Sequence, residues 1–288
     1  MLHKERVAKT IYYATRRRIR KGLGIRPRNT AAPVLGFALD AVVERHSWIV
    51  RTILEHGPAE LDLRGKAACE VGAGDCLAGA SCFLAKGATR VNIVEVEPAV
   101  VNEKQVQVLQ ALKAQGLPID TSIVQQNGGL HLDTSRVAYH TCFMEQFQPR
   151  DQHEFLFSFS VMEHVEDLAA FYSSCNRVLS PGAWMLHQID LGGHELFEDP
   201  MPPLDFQTYP DWLFRLMYPK YHRATRRFVD EHVAAVKNAG FKIVKVTPTR
   251  RADESYLRNL WPGLRSSARR RPFEDVQVVE FALLAQKI

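Results

Sequence analysis

The 288-residue sequence predicts an α/β fold: a mostly parallel sheet, doubly wound with helices on both faces. Three observations lead there. Past Gly57-Pro58, short apolar or β-branched runs alternate with helical patterns. The first run ends in a glycine-rich turn, Glu70-Val71-Gly72-Ala73-Gly74-Asp75-Cys76. The second run ends in an acid, Glu95, about 20 residues beyond that turn, the spacing at which an acid can accept ribose hydroxyls.

The elements follow in order. Residues 3–21 read as a basic helix, broken by Gly22, Gly24 and Pro27. Residues 36–56 carry a helical apolar pattern closed by Gly57-Pro58. Strands are expected at Ala67–Val71, Arg90–Val96, Val137–Thr141, Glu154–Phe159 and Ala183–Ile189, then at Phe241–Thr247 and Val276–Ala285. Helices are expected at Leu77–Lys86, from Pro98 to Gln115, near 166–178 and at 226–238, with residues 116–136 irregular and a turn at Ser180-Pro181-Gly182. Between residues 192 and 225 the alternation stops. Seven aromatics fall within 197–221, which reads as a cap inserted after the fifth strand. The expected organisation is an arm (1–35), an α/β core (36–191), the cap (192–225) and a C-terminal part (226–288) that completes the sheet.

Composition narrows the class. Hydrophobic residues make up 46% and charged residues 24%, the balance of an ordinary globular chain. No uncharged apolar run approaches the ~18 residues of a membrane span. The basic start lacks the apolar stretch of a secretory leader. Five cysteines without metal spacing predict buried, reduced thiols. Residues 1–30 hold ten Lys/Arg against one acid, Glu5, although the whole chain is only +5. The body is therefore mildly acidic, which argues against a nucleic-acid-binding surface. A cytoplasmic protein is expected; the arm suits an anionic membrane surface at the inner membrane, contact with RNA or a merely solvated extension, and a transit peptide is a further alternative that Glu5 weakens.

The glycine turn favours a cationic ligand. Glycines let backbone approach a ligand, and the following helix N-terminus offers free N–H groups. Glu70, however, would repel a pyrophosphate and attract an ammonium or sulfonium group. On these residues, 66–190 resemble the class I S-adenosylmethionine-dependent methyltransferases, which are Rossmann-like and built on a seven-stranded sheet. Glu70-x-Gly72-x-Gly74 resembles their first motif, and Glu95 stands where their ribose-binding acid stands. Phe155 to Asp167 resembles their fourth strand and the Glu-His-Val signature after it. Arg177 to Gly182 resembles their turn into strand five, and Ala239-Gly240-Phe241 the close of the fold.

The resemblance implies S-adenosyl-L-methionine as cofactor, held by Glu70, Gly72, Gly74, Asp75, Cys76, Glu95 and Val96, with Ser160 at the fourth-strand tip. Cys76 departs from the pattern by replacing a third glycine. After the third strand, Cys142-Phe143-Met144-Glu145 offers no clear equivalent of the family's adenine-binding acid, so backbone groups at Phe143 and Met144 are expected to serve the adenine. The tip Phe159-Ser160-Val161 lacks the Asn/Asp-Pro-Pro-Tyr of amino-methylating enzymes, which leaves a hydroxyl as the expected acceptor and calls for a base. His194, His187 and Asp190 are the candidates, with His164 next. A metal held by His187, Asp190 and His194 ranks below plain acid–base work. The cap resembles that of methyltransferases of glycan assembly, which implies a sugar acceptor. A small natural product or lipid acceptor, and a degenerate module that only binds partners, are the rival readings.

Overall fold

The computed structural model describes residues 37–59, 61–98, 101–125, 129–193, 202–217 and 225–288. The basic arm and His194 lie outside them, as do Phe197, Tyr218 and Tyr221 of the cap.

Helix α1, Leu39–His56, buries the stripe Val42, Val43, His46, Ile49, Val50 and Ile53, the spacing of one helix face. It ends at Gly57, whose N–H donates to Ile53 O at 3.1 Å. Strand β1 is Ala67–Val71. Helix α2, Ala78–Ala85, is apolar all round and is buried from Ala78 to Leu84, as such a helix must be. Strand β2, Arg90–Glu95, precedes helix α3, Glu103–Ala114. The sequence reading began α3 at Pro98. Asn102 sets the start instead, because its side chain accepts from the Gln105 N–H at 3.1 Å.

The stretch read as irregular contains a short antiparallel ribbon, β3 (Val124–Gln125) and β4 (His131–Leu132). Arg136 pins its base through Asp120 and Asp133. Strands β5 (Val137–Thr141) and β6 (His153–Phe159) follow, then helix α4 (Leu168–Val178), capped by Asp167. Strand β7 runs from Leu179 to Asp190. The expected turn at Ser180-Pro181-Gly182 is a bulge inside this strand: β6 advances from His153 to Phe155 while β7 advances from Leu179 to Trp184. Gly182 supplies the left-handed residue there, at φ 77°.

Helices α5 (Asp211–Met217) and α6 (Val229–Asn238) lead to strand β8 (Phe241–Arg251). Helices α7 (Glu254–Leu260), α8 (Ser266–Arg269) and α9 (Phe273–Gln277) precede the last strand, β9 (Val278–Lys287). The main sheet has seven strands in the order β5-β2-β1-β6-β7-β9-β8. Strand β1 pairs in parallel with β2 on one side and β6 on the other. Strand β9 runs against β8, since Gly240 bonds Ile288 and Ala252 bonds Gln277. Chain order reverses between β1 and β6, so the ligand crevice of such a sheet opens beyond Val71 and Phe159.

The chain divides into two compact units. One holds Pro33–Ile189, His232–Thr247 and Ala282–Ile288, with a core in which Phe83 stands edge-on to Phe155 at 5.4 Å. The other holds Asp190–Glu231 and Pro248–Phe281. It is larger than the cap read from sequence, because Leu204 and Phe228 share a core with Leu257, Leu264, Ala268 and Val276. The Tyr256 hydroxyl ties that core together, donating to Asp205 Oδ1 at 2.8 Å and accepting from the Leu204 N–H at 3.0 Å. The cap aromatics Phe206, Tyr209 and Phe214 are buried, with the Arg226 guanidinium 4.0 Å over the Phe214 ring, whereas Trp212 is exposed. Among the described residues no helix is long and apolar enough to cross a membrane.

Candidate active site

The glycine turn sits where β1 ends. Gly72 has φ 73° and Gly74 φ 61°, conformations that side chains resist. A Cβ on Gly72 would also overlap Cγ2 of Val161, so the turn and the tip of β6 touch there. Glu95, at the end of β2, joins the turn: Oε2 accepts from the Gly74 N–H at 2.7 Å and Oε1 from the Val96 N–H at 2.6 Å. Behind the turn, the buried Gln105 side chain of α3 donates to Asp75 O at 3.0 Å.

Glu70 is buried under the turn, against the first residues of α2. A Cβ on Gly79 would overlap its Oε1, and its Oε2 has no hydrogen-bond partner. Burial pushes the Glu70 carboxyl up to about 8, a bond from the Ala80 N–H opposes this, and the Glu95 charge adds to the rise. Cys76 is buried too, and its sulfur accepts from the Ala78 N–H at 3.3 Å. The thiol thus satisfies one of the orphan donors of a helix start. Burial drives the Cys76 thiol far above its ordinary value.

At the tip of β6, Ser160 adopts φ 53°, which a non-glycine residue rarely does, and its N–H donates to Gln188 O at 3.0 Å. Such strain persists where the surroundings enforce it, often at ligand sites. Val96 and Phe143 stand exposed after β2 and β5, which pair through Glu95 and Thr141. Met144 is buried, and the Phe143 N–H is engaged by Gln146 Oε1 at 3.2 Å. The exposed Val96 and Phe143 side chains thus follow the ends of two paired strands.

The candidate bases part company. His187 is fully buried; its Nδ1 shares a 2.6 Å hydrogen bond with Ser158 Oγ, and Phe171 and Tyr172 pack on the ring. Burial pushes it down to about 3, helped by the His232 charge. A neutral imidazole enclosed by aromatics cannot reach an acceptor, which corrects its reading as a base. Asp190 accepts from the Gly192 N–H at 2.7 Å and faces Arg250 Nη2 at 3.6 Å. His164 ends a 3-10 turn, Met162–His164, and is half-buried. Among the described residues no group of three His, Cys, Asp or Glu side chains is arranged to hold a metal ion.

Sequence reasoning missed Gly79, Gln105, Val161 and Trp48. Only Gly79 left a signal, as a glycine in the first turn of a helix just after the Gly72–Gly74 turn. Trp48 lies on the outer side of α1 and meets Phe159 edge-on, with ring centroids 4.9 Å apart.

No protein-family model matches the chain, and no curated protein does. Solved structures do. A Mesorhizobium loti S-adenosylmethionine-dependent methyltransferase is 15% identical over 87% of this chain and 100% of its own, with a TM-score of 0.48. A Listeria monocytogenes chain provisionally assigned to the same class is 11% identical over 85% and 99%, also at 0.48. The N-methyltransferase NodS of Bradyrhizobium japonicum, bound to S-adenosyl-L-homocysteine, is 12% identical over 85% and 86%, at 0.41. The fold rests on the strand order itself: the reversal between β1 and β6 and the antiparallel β9 beside β8. The chain has the class I methyltransferase fold.

Proposed function

We propose that the chain binds S-adenosyl-L-methionine and transfers its methyl group to a hydroxyl, on a sugar or glycan intermediate. The observation that carries this is the junction of Gly74 with Glu95 above a buried Glu70 with an unsatisfied oxygen. The turn leaves space for a close ligand, Glu95 offers acceptors for ribose hydroxyls, and Val96 and Phe143 offer apolar faces for a base. An orphaned buried carboxylate oxygen fits a cationic ligand, since an ion nearby removes the cost of ionising it.

The cofactor would supply an electrophilic methyl group on a sulfonium. The chain's part is positioning, exclusion of water and removal of the acceptor proton. Glu70 and Glu95 orient the cofactor from opposite sides of the turn, and Ser160 fixes the strand tip. Asp190 holds the root of the following loop through Gly192 and Arg250. With His187 enclosed, His194 is the proposed base and His164 the alternative.

Calorimetry with S-adenosyl-L-methionine and its demethylated product tests the cofactor reading, and an enclosed, folded chain that binds neither ends it. Transfer of a labelled methyl group to a panel of sugar, lipid and phenolic hydroxyls tests the acceptor. His194→Ala is expected to lower kcat by about 10²–10⁴ with cofactor affinity unchanged. If only His164→Ala does so, the base is His164.

A further inference from the structure

Phe37, Ala41, Arg45 and Trp48 recur at the spacing of one helix face, and Glu44 flanks them. With Val42 they line a groove of about 420 Å³, within the range of small-molecule sites. Phe37, just before α1, is 55% exposed and Trp48 44%, on the side of the helix away from the buried stripe Val42, Val43, Ile49, Val50 and Ile53. Trp48 is not loose. Its ring stands at 86° to Phe159, the residue just before the strained Ser160, so one wall of the groove rests on the end of β6. Arg45 lies close enough to the glycine turn for its charge to act on Cys76, against the larger effect of burial. Among the described residues neither Glu44 nor Arg45 forms an ion pair.

We infer that this face of α1 is the subsite that seats a pyranose ring of the acceptor, with Trp48 and Phe37 as its platform and Glu44 and Arg45 as partners of its hydroxyls. This rests on the methyltransferase reading. A sugar ring has an apolar C–H face that suits an aromatic plane. Its hydroxyls both donate and accept, so they need a carboxylate and a guanidinium side by side. A purely apolar acceptor would make no use of either charge, and a purely anionic one would meet Glu44. Through Trp48 the groove abuts Phe159 at the end of β6.

The test uses the full chain, saturated with S-adenosyl-L-homocysteine, and saturation-transfer NMR with glucose, galactose, mannose and rhamnose; benzyl alcohol is the apolar control. The expected result is transfer to the ring C–H protons of at least one sugar. Trp48→Ala should weaken that binding at least tenfold, Trp48→Phe less, and Glu44→Gln or Arg45→Gln several-fold. Homocysteine-cofactor affinity should stay within twofold in all four variants. A wild type that binds this cofactor product but no sugar overturns the subsite, and so does binding of benzyl alcohol alone or an unaffected Trp48→Ala. Absence of cofactor binding overturns the methyltransferase reading instead. In that case a sugar signal abolished by Trp48→Ala still upholds the groove as a sugar site.

Discussion

Glu95 Oε2 accepts a hydrogen bond from the backbone N–H of Gly74 at 2.7 Å, so the end of β2 closes the turn after β1. The same carboxylate braces the turn and offers its remaining lone pairs to a ligand. Glu95→Ala removes both functions. Lost charge-assisted bonds to ribose amount to about 1.5–3 kcal/mol, or roughly 10- to 150-fold in cofactor affinity by calorimetry. Glu95→Gln keeps acceptor oxygen without charge and should fall between. Unchanged affinity in Glu95→Ala would remove the ribose role.

Gly72 is under two constraints that can be separated. Its φ of 73° strains any side chain, and Val161 occupies the space of a Cβ. Gly72→Ala should therefore destabilise by about 1–3 kcal/mol from strain alone, with the overlap added. Val161→Ala removes only the overlap. The double variant should recover part of the loss in chemical denaturation, leaving the strain behind; simple additivity of the two losses would contradict the contact.

On the proposed cofactor reading, Glu70 should make binding a proton-releasing event. Its carboxyl sits at about 8, so at pH 7 the free chain holds it mostly protonated. A cationic ligand favours the ionised form, and binding should expel about one proton at pH 7. Calorimetry in buffers of different ionisation enthalpy reads this directly. Glu70→Gln should bind more weakly and release none. Equal release in both would place the proton elsewhere.

The glycine turn and Glu95 were legible because each follows from local rules: left-handed residues need glycine, and a strand-end acid keeps a fixed spacing from the turn. The strands were legible from their β-branched runs. What stayed hidden depends on which face of an element is covered. His187 in a strand reads alike whether its face meets the core or the crevice, and only the packing of Phe171 and Tyr172 from α4 decides it. Likewise Gly79 gains its meaning from Glu70, and Trp48 from Phe159. The extent of the second unit was hidden too, since Phe228 meets Leu257 and Val276 only in the fold.

The buried histidines and Glu70 act on stability with opposite sign. Burial lowers His187 to about 3 and His46 to about 4, the latter with help from Arg45, so both stay neutral in the folded chain where an unfolded chain would charge them near 6.5. Below pH 6.5 the unfolded state binds the extra protons, and stability falls by about 2 kcal/mol per histidine at pH 5. His153 and His140, also lowered by burial, add to this trend. Glu70 works the other way. Its folded value lies above its unfolded one, so the folded state binds the extra proton between about 4.5 and 8, and acidification across that window stabilises by about 3 kcal/mol between pH 7.5 and 5. Wild type should therefore lose about 1 kcal/mol or somewhat more over this range, whereas Glu70→Gln, stripped of the compensating group, should lose about 4 kcal/mol or more. Urea denaturation of both proteins at pH 7.5 and 5 measures the difference. Parallel profiles would show that Glu70 is ionised in the folded chain, and that the buried carboxylate has a charged partner before any ligand arrives.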